Sequence, residues 1–276
     1  MTTSDPSQDT PSPSTGRFLK AIYVYEVPVR LWHWVNALAI TVLAVTGYLI
    51  GSPLPSTPGE ASANFLMGYI RFAHFAAGYV FAIGFLGRLY WAFAGNHHAK
   101  QLFRFPFWDG HWWAELFVEA RWYLFLEREP KLYVGHNPLA QFAMFWVIGI
   151  GSVFMIVTGF ALYGEGAGVD SWQDRVFGWV IPLFGQSQDV HTWHHLGMWA
   201  ILLFVMVHIY AAVREDIMSR QSIVSTMVSG VRTFKDAGQP ADEDAPAEPA
   251  HSRRFHAGRK GGAAKTATPH APEPVD

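Results

Sequence analysis

HTWHHLGMWAILLFVMVH, residues 191–208, decides the fold. This run contains no Asp, Glu, Lys or Arg, yet it carries imidazoles at both ends of an otherwise apolar body. Crossing a bilayer core takes roughly 20 helical residues, and the apolar character extends from His191 to Val213. Titratable side chains are costly in lipid, so histidines at such depths are functional candidates by default. Fourteen residues separate His194 from His208. At about 100° and 1.5 Å per residue they differ by only about 40° in azimuth while standing roughly 21 Å apart. One helix face therefore offers imidazoles at two depths, too far apart to share a single metal ion.

Three further segments have the length and composition of membrane spans, approximately Leu31–Gly51, Ile70–Phe93 and Leu139–Tyr163. Trp32, Trp34, Tyr69, Trp91, Trp193 and Tyr210 near the span ends suit interfacial belts. The composition agrees: 50% of the 276 residues are hydrophobic and only 15% charged, against roughly 25% charged in a soluble domain. The expected fold class is all-α: an integral membrane four-helix bundle over residues 18–236, flanked by disordered arms at 1–17 and 237–276. The first arm is Ser-, Thr- and Pro-rich without the apolar core of a signal peptide, and the second is rich in Ala, Pro, Gly and charge. Its basic residues Arg253, Arg254, Arg259, Lys260 and Lys265 read as a solvated tail. WWAELFVEARWYLFL, residues 112–126, has helical amphipathic spacing; it is expected on the cytoplasmic surface, or packed beneath the bundle.

Lys and Arg fall unevenly. Arg17, Lys20 and Arg30 precede the first span; Lys100, Arg104, Arg121, Arg128 and Lys131 occupy the long middle loop; Arg214, Arg220 and Arg232 follow the last span. The other two loops offer only Arg71 and Arg175. Both termini and the middle loop are thus expected to face the cytoplasm, with the other two loops outside. With that topology His33 and His208 share the inner level, and His74 and His194 the outer one. These pairs can each supply an axial nitrogen from either side of a haem iron. His195 lies about 140° from His208 on the wheel and is the weaker outer candidate, as is His191 near the surface. His97, His98, His111 and His136 fall in the middle loop, and His251, His256 and His270 in the C-terminal arm.

There is no cysteine, which excludes disulfides, iron–sulfur clusters and covalent haem attachment. The net charge of −2 gives no sign of nucleic-acid binding. Gly47, fourteen residues beyond His33, is expected at the outer level, where a missing side chain makes room for a macrocycle. Gly78 and Gly197 lie a turn from His74 and His194, where close helix packing explains them equally well. Arg71 and Arg88 are candidates for haem propionates at the outer and inner levels, with membrane-end anchoring as the alternative.

PVRLWHWVNALAITVLAVTG, residues 28–47, and the 191–208 segment together resemble the b-type cytochrome subunit of membrane-bound nickel–iron uptake hydrogenases, and the similarity extends from about Phe18 to Lys235. The resemblance implies two b haems on His33, His74, His194 and His208. It implies partnership with a nickel–iron large subunit and an iron–sulfur small subunit, and electron delivery to the quinone pool by a subunit that does not itself activate hydrogen. GHNPLAQ, residues 135–141, resembles the family's segment near the quinone site; Asn137 and Gln141 would bond a quinone carbonyl and His136 would relay protons. Helix capping by Asn137 ahead of Pro138 is the plainer reading of the same residues. The nearest rival is a cytochrome serving formate dehydrogenase or thiosulfate reductase. A histidine-lined transporter would want acidic groups at mid-membrane, which these spans lack, and a bare membrane anchor leaves the matched histidines without purpose.

Overall fold

Proline and short polar side chains start the helices. Pro28 lies in the first turn of α1 (Val27–Gly51) and Pro138 in that of α5 (Pro138–Ala143), where the missing N–H costs nothing. Asn137 accepts from the Ala140 N–H at 2.7 Å to cap α5. Asp109 and Ser171 cap α4 (Gly110–Tyr123) and α7 (Trp172–Phe177) in the same way. In this computed structural model the described residues are 20–55, 59–60, 64–128, 131, 133–219 and 221–234. The expectations for the arms at 1–17 and 237–276, for His251, His256 and His270, and for Arg17 and Arg220 lie outside them.

Among the described residues, four helical stretches are long and apolar enough to cross a membrane: α1, α2 (Leu66–Ala94), the run 138–167, and α9 (Ser187–Met218). Each is longer than its sequence estimate, α9 most of all, because the estimate followed apolar character and the helix ends lie in more polar flanks. The third span begins as α5, widens into a π segment at Met144–Ile150 and continues as α6 (Gly151–Ala167). The π segment was not foreseen, since nothing in MFWVIGI distinguishes it from α-helix. Its wider turns reset the face that α6 presents inward. Leu38, Ile83, Leu86 and Leu203 are more than half exposed along the spans, a surface suited to acyl chains rather than water.

At one end, α7 and α8 (Val180–Phe184) close the loop between the third and fourth spans. Ala161, Val180 and Val190 form a fully buried cluster there, and Gln173 Nε2 donates to the Tyr79 hydroxyl at 2.9 Å. The opposite end holds α3 (His97–Lys100), α4, α10 (Ile223–Ser229) and a ribbon of β1 (Lys20–Tyr23) antiparallel to β2 (Val231–Phe234), with Ile22 opposite Arg232. The ribbon departs from the all-helical expectation; four-residue strands are too short for alternation to be read. Arg232 Nη1 donates to the Tyr133 and Gly135 carbonyls at 3.0 Å each, and Trp34 Nε1 to Met227 O at 3.0 Å. Glu26 Oε2 accepts from Trp91 Nε1 at 3.0 Å and from the Asn96 N–H at 2.9 Å. The amphipathic helix is α4, packed by its Trp112, Leu116, Glu119 and Trp122 face while Phe117 stays exposed. Outside lipid, each large apolar side chain buried in this way contributes about 1.5–3 kcal/mol.

Candidate functional site

Two pairs of helix-borne histidines lie at different depths, with His33, His74 and His194 half-buried and His208 exposed. Near the ribbon end, His33 of α1 and His208 of α9 meet with ring centroids 6.4 Å apart and planes inclined by 53°. A metal bonded to both rings at about 2 Å would separate their centres by roughly 6 Å. Phe204, one turn before His208, stacks on it at 5.7 Å and 14°; Trp34 meets His33 edge-on at 5.0 Å.

Toward the other end, His74 of α2 and His194 of α9 line one cavity of about 1110 Å³, together with residues of α1 and α6. Each ring is held by a threonine of a neighbouring helix. Thr46 Oγ1 lies 2.9 Å from His74 Nδ1 and donates to Val42 O at 2.6 Å. Thr158 Oγ1 lies 2.8 Å from His194 Nδ1 and donates to Phe154 O at 2.7 Å. Beside each threonine stands a glycine that a side chain would close off: a Cβ on Gly47 would come within 3.2 Å of His74 Cε1, and one on Gly159 within 3.2 Å of His194 Cε1. Gly47 lines the outer cavity, as its spacing from His33 led one to expect, and the space its missing side chain leaves lies against the His74 ring. At Gly197 the close neighbours are Met155 and Phe154, which is helix packing.

His195 also lines this cavity and reaches toward α1, with Cε1 and Nδ1 both 3.0 Å from where a Gly51 Cβ would stand. His191 Nδ1 bonds its own helix at Ser187 O, 3.0 Å. Arg71 is exposed and lines the rim of the outer cavity. Arg88 is buried: Nη2 donates to Ala99 O at 2.6 Å, the guanidinium lies over Trp32 and Phe103, and Nε and Nη1 have no partner among the described residues. A buried cation left half satisfied fits an anionic group bound beside it. Among the described residues no three His, Asp or Glu side chains converge to chelate an ion. The paired rings, the cavity at His74 and His194 and the half-satisfied Arg88 guanidinium suit a prosthetic group that brings its own metal.

Asn137, His136 and Gln141 cluster at the start of α5. Asn137 spends Oδ1 on its cap and donates from Nδ2 to Glu119 Oε2 at 3.2 Å. Gln141 accepts from Trp112 Nε1 at 3.0 Å and donates to Gln101 O at 3.2 Å and Arg104 O at 2.5 Å. His136 lies between the Tyr25 hydroxyl, 3.1 Å from Nε2, and Gln101 Oε1, 3.3 Å from Nδ1. Burial, with the Arg232 charge behind it, holds the His136 ring neutral down to about pH 3. Burial likewise pushes the Glu119 carboxyl up to about 7.

The hydroxyl-and-glycine cradle of the outer pair escaped the reading of the sequence. Its signal is a repeat: Val45-Thr46-Gly47-Tyr48 returns as Val157-Thr158-Gly159-Phe160. Glu119 was also missed, because one acidic residue in an amphipathic helix reads as solvated.

A sequence model of the family described as prokaryotic cytochrome b561 matches residues 24–230. A protein of Azotobacter vinelandii called a probable Ni/Fe-hydrogenase B-type cytochrome subunit is 72% identical over 216 residues, covering 78% of this chain and 90% of its own. A protein of the same description from Cupriavidus necator is 70% identical over 223 residues, covering 81% and 91%. The probable Ni/Fe-hydrogenase 1 B-type cytochrome subunit of Escherichia coli K12 is 52% identical over 217 residues, covering 77% and 91%.

Proposed function

The chain belongs to the prokaryotic cytochrome b561 family of membrane electron-transfer proteins with b-type haem, and from that membership we propose that it is the di-haem subunit that anchors a nickel–iron hydrogenase to the membrane and passes electrons from hydrogen oxidation to quinone. The observation that carries the reading is the pairing of His33 with His208 and of His74 with His194 at two levels of one helix bundle. When bound, each haem supplies a one-electron carrier. His33 and His208 would hold the inner one, with Arg88 placed to meet an anionic group on it, and His74 and His194 would hold the outer one, with Arg71 nearby. The names of the relatives favour a hydrogenase over formate dehydrogenase or thiosulfate reductase as the partner.

The chain has no cysteine, so hydrogen activation belongs to the nickel–iron large subunit, and electrons arrive through the iron–sulfur small subunit. The Lys and Arg distribution supports an inner-membrane placement with both termini cytoplasmic. Quinone is reduced near Asn137, His136 and Gln141; because these groups already bond one another's surroundings, a quinone carbonyl there exchanges with an internal partner. The neutral His136 ring passes a proton between its two nitrogens rather than storing one. Quinone reduction on the cytoplasmic side makes the electron transfer electrogenic.

The test is a pyridine haemochrome assay with protein quantitation on the purified chain and on His194→Ala and His208→Ala. Two b haems in the parent and one in each variant support the assignment. No haem in the parent, or unchanged haem in both variants, overturns it.

A further inference from the structure

His74 and His194 sit on different helices, yet each meets the same local arrangement. In both cases a partner is a threonine followed by a glycine, on α1 for His74 and on α6 for His194, and the Leu43 backbone is a second hydrogen-bond partner of His74. The threonine hydroxyl has one hydrogen, and it is directed to the carbonyl one turn back: Val42 O at 2.6 Å for Thr46 and Phe154 O at 2.7 Å for Thr158. What remains toward the imidazole is a lone pair. The Nδ1 atoms, at 2.9 and 2.8 Å, therefore carry the protons and donate them. A neutral imidazole with its proton on Nδ1 has its free lone pair on Nε2.

We propose that Thr46 and Thr158 are twin positioning residues that fix the tautomer and plane of His74 and His194, so that Nε2 of each ring is the nitrogen presented to the outer haem iron. The assignment deepens the di-haem reading and rests on it. A histidine ligand whose second nitrogen donates a hydrogen bond is both oriented and made more basic. His33 of the inner pair lacks this device: its Nδ1 has no partner among the described residues. Stronger donation stabilises ferric iron, so the cradle lowers the outer potential relative to the inner one. That is the downhill order for electrons moving from the outer level to the inner.

Back-bonding by a membrane threonine is common by itself, and Thr41 provides the control. Its hydroxyl donates to Ala37 O at 2.8 Å in the same way, on an exposed face. The experiment uses the full chain with Thr46→Val, Thr158→Val, the two matching Ser variants, Thr41→Val, and His74→Ala. Three properties are read for each haem: its content, its rate of transfer to apomyoglobin, and its midpoint potential together with its ferric low-spin EPR signal. The Val variants at Thr46 and Thr158 are expected to lose the outer haem about 10–100-fold faster and to raise its potential. The inner haem should be unchanged, the Ser variants should return both properties toward the parent, and Thr41→Val should match the parent. If His74→Ala loses one haem while Thr46→Val and Thr158→Val keep the parental potential, spectrum and retention, the positioning role is overturned and haem ligation stands. Equal losses in the Val and Ser variants also overturn it, since the hydroxyl is then not the cause. If His74→Ala keeps both haems, the ligation reading fails and this inference fails with it.

Discussion

His33 and His208 face one another across the bundle with ring centroids 6.4 Å apart, although 175 residues separate them in the chain. No hydrogen bond joins the two rings among the described residues. On the di-haem reading proposed above, an iron between them gives the juxtaposition its purpose. Single removals should therefore be as damaging as the double removal, because a haem iron that loses one axial nitrogen has lost the pair. His33→Ala, His208→Ala and the double variant are each expected to retain one haem per chain in the haemochrome assay. A double variant that falls well below either single one would refute the pairing.

Arg88 is predicted to change the sign of its effect with haem loading. Its Nε and Nη1 are buried without partners while Nη2 bonds Ala99 O. A buried charge that is only partly compensated costs the fold stability. Arg88→Met is thus expected to leave the haem-free chain as stable as the parent or more so. In the loaded chain it should weaken inner-haem retention and lower that haem's midpoint potential, because a positive charge beside a propionate favours the ferrous state. Thermal melts of both forms with a redox titration test this, and a variant that weakens the haem-free chain while sparing the potential rules it out.

Glu119 makes stability depend on pH in a definite direction. Burial, reinforced by the charges of Glu215 and Glu115, raises its carboxyl from 4.5 to about 7. As pH rises the unfolded chain gives up this proton first. The stability associated with protonated Glu119 is therefore complete below about 4.5 and is lost as pH climbs through 7. Glu119→Gln should remove that decline, on the order of 1–3 kcal/mol between pH 5 and 8. Denaturation of the detergent-solubilised chain at both pH values is the measurement. The infrared carbonyl band of the protonated acid should vanish in the variant. Parallel pH slopes for parent and variant would exclude the assignment.

The spans were legible because lipid imposes length and composition on a helix, and the depth of each histidine follows from those two constraints and the helical rise. What stayed hidden depends on side chains meeting across helices. Thr46 and Thr158 look like ordinary membrane threonines until α2 and α9 are placed against them. The π turn at Met144–Ile150 has no compositional mark, and the ribbon joining Ile22 to Arg232 is built from strands of four residues. Glu119 reads as a surface acid until Asn137 and the start of α5 cover it.

Gly47 and Gly159 offer a steric test that leaves every polar group in place. A methyl group at either position would approach the Cε1 of its histidine to 3.2 Å, a few tenths of an ångström inside ordinary contact. The helices themselves lose nothing, since alanine is the better helix former by about 1 kcal/mol. The imidazole must therefore tilt, and with it the line along which Nε2 points. Gly47→Ala and Gly159→Ala are expected to fold as well as the parent while shifting the spectrum of the outer haem and loosening it. Gly87→Ala, where a Cβ would meet nothing within 4 Å, should leave both haems as they are. Circular dichroism for the fold and low-temperature absorption spectra for the haems separate these outcomes. Outer-haem spectra that stay parental in both cradle variants would mean that the ring is not held by its glycine.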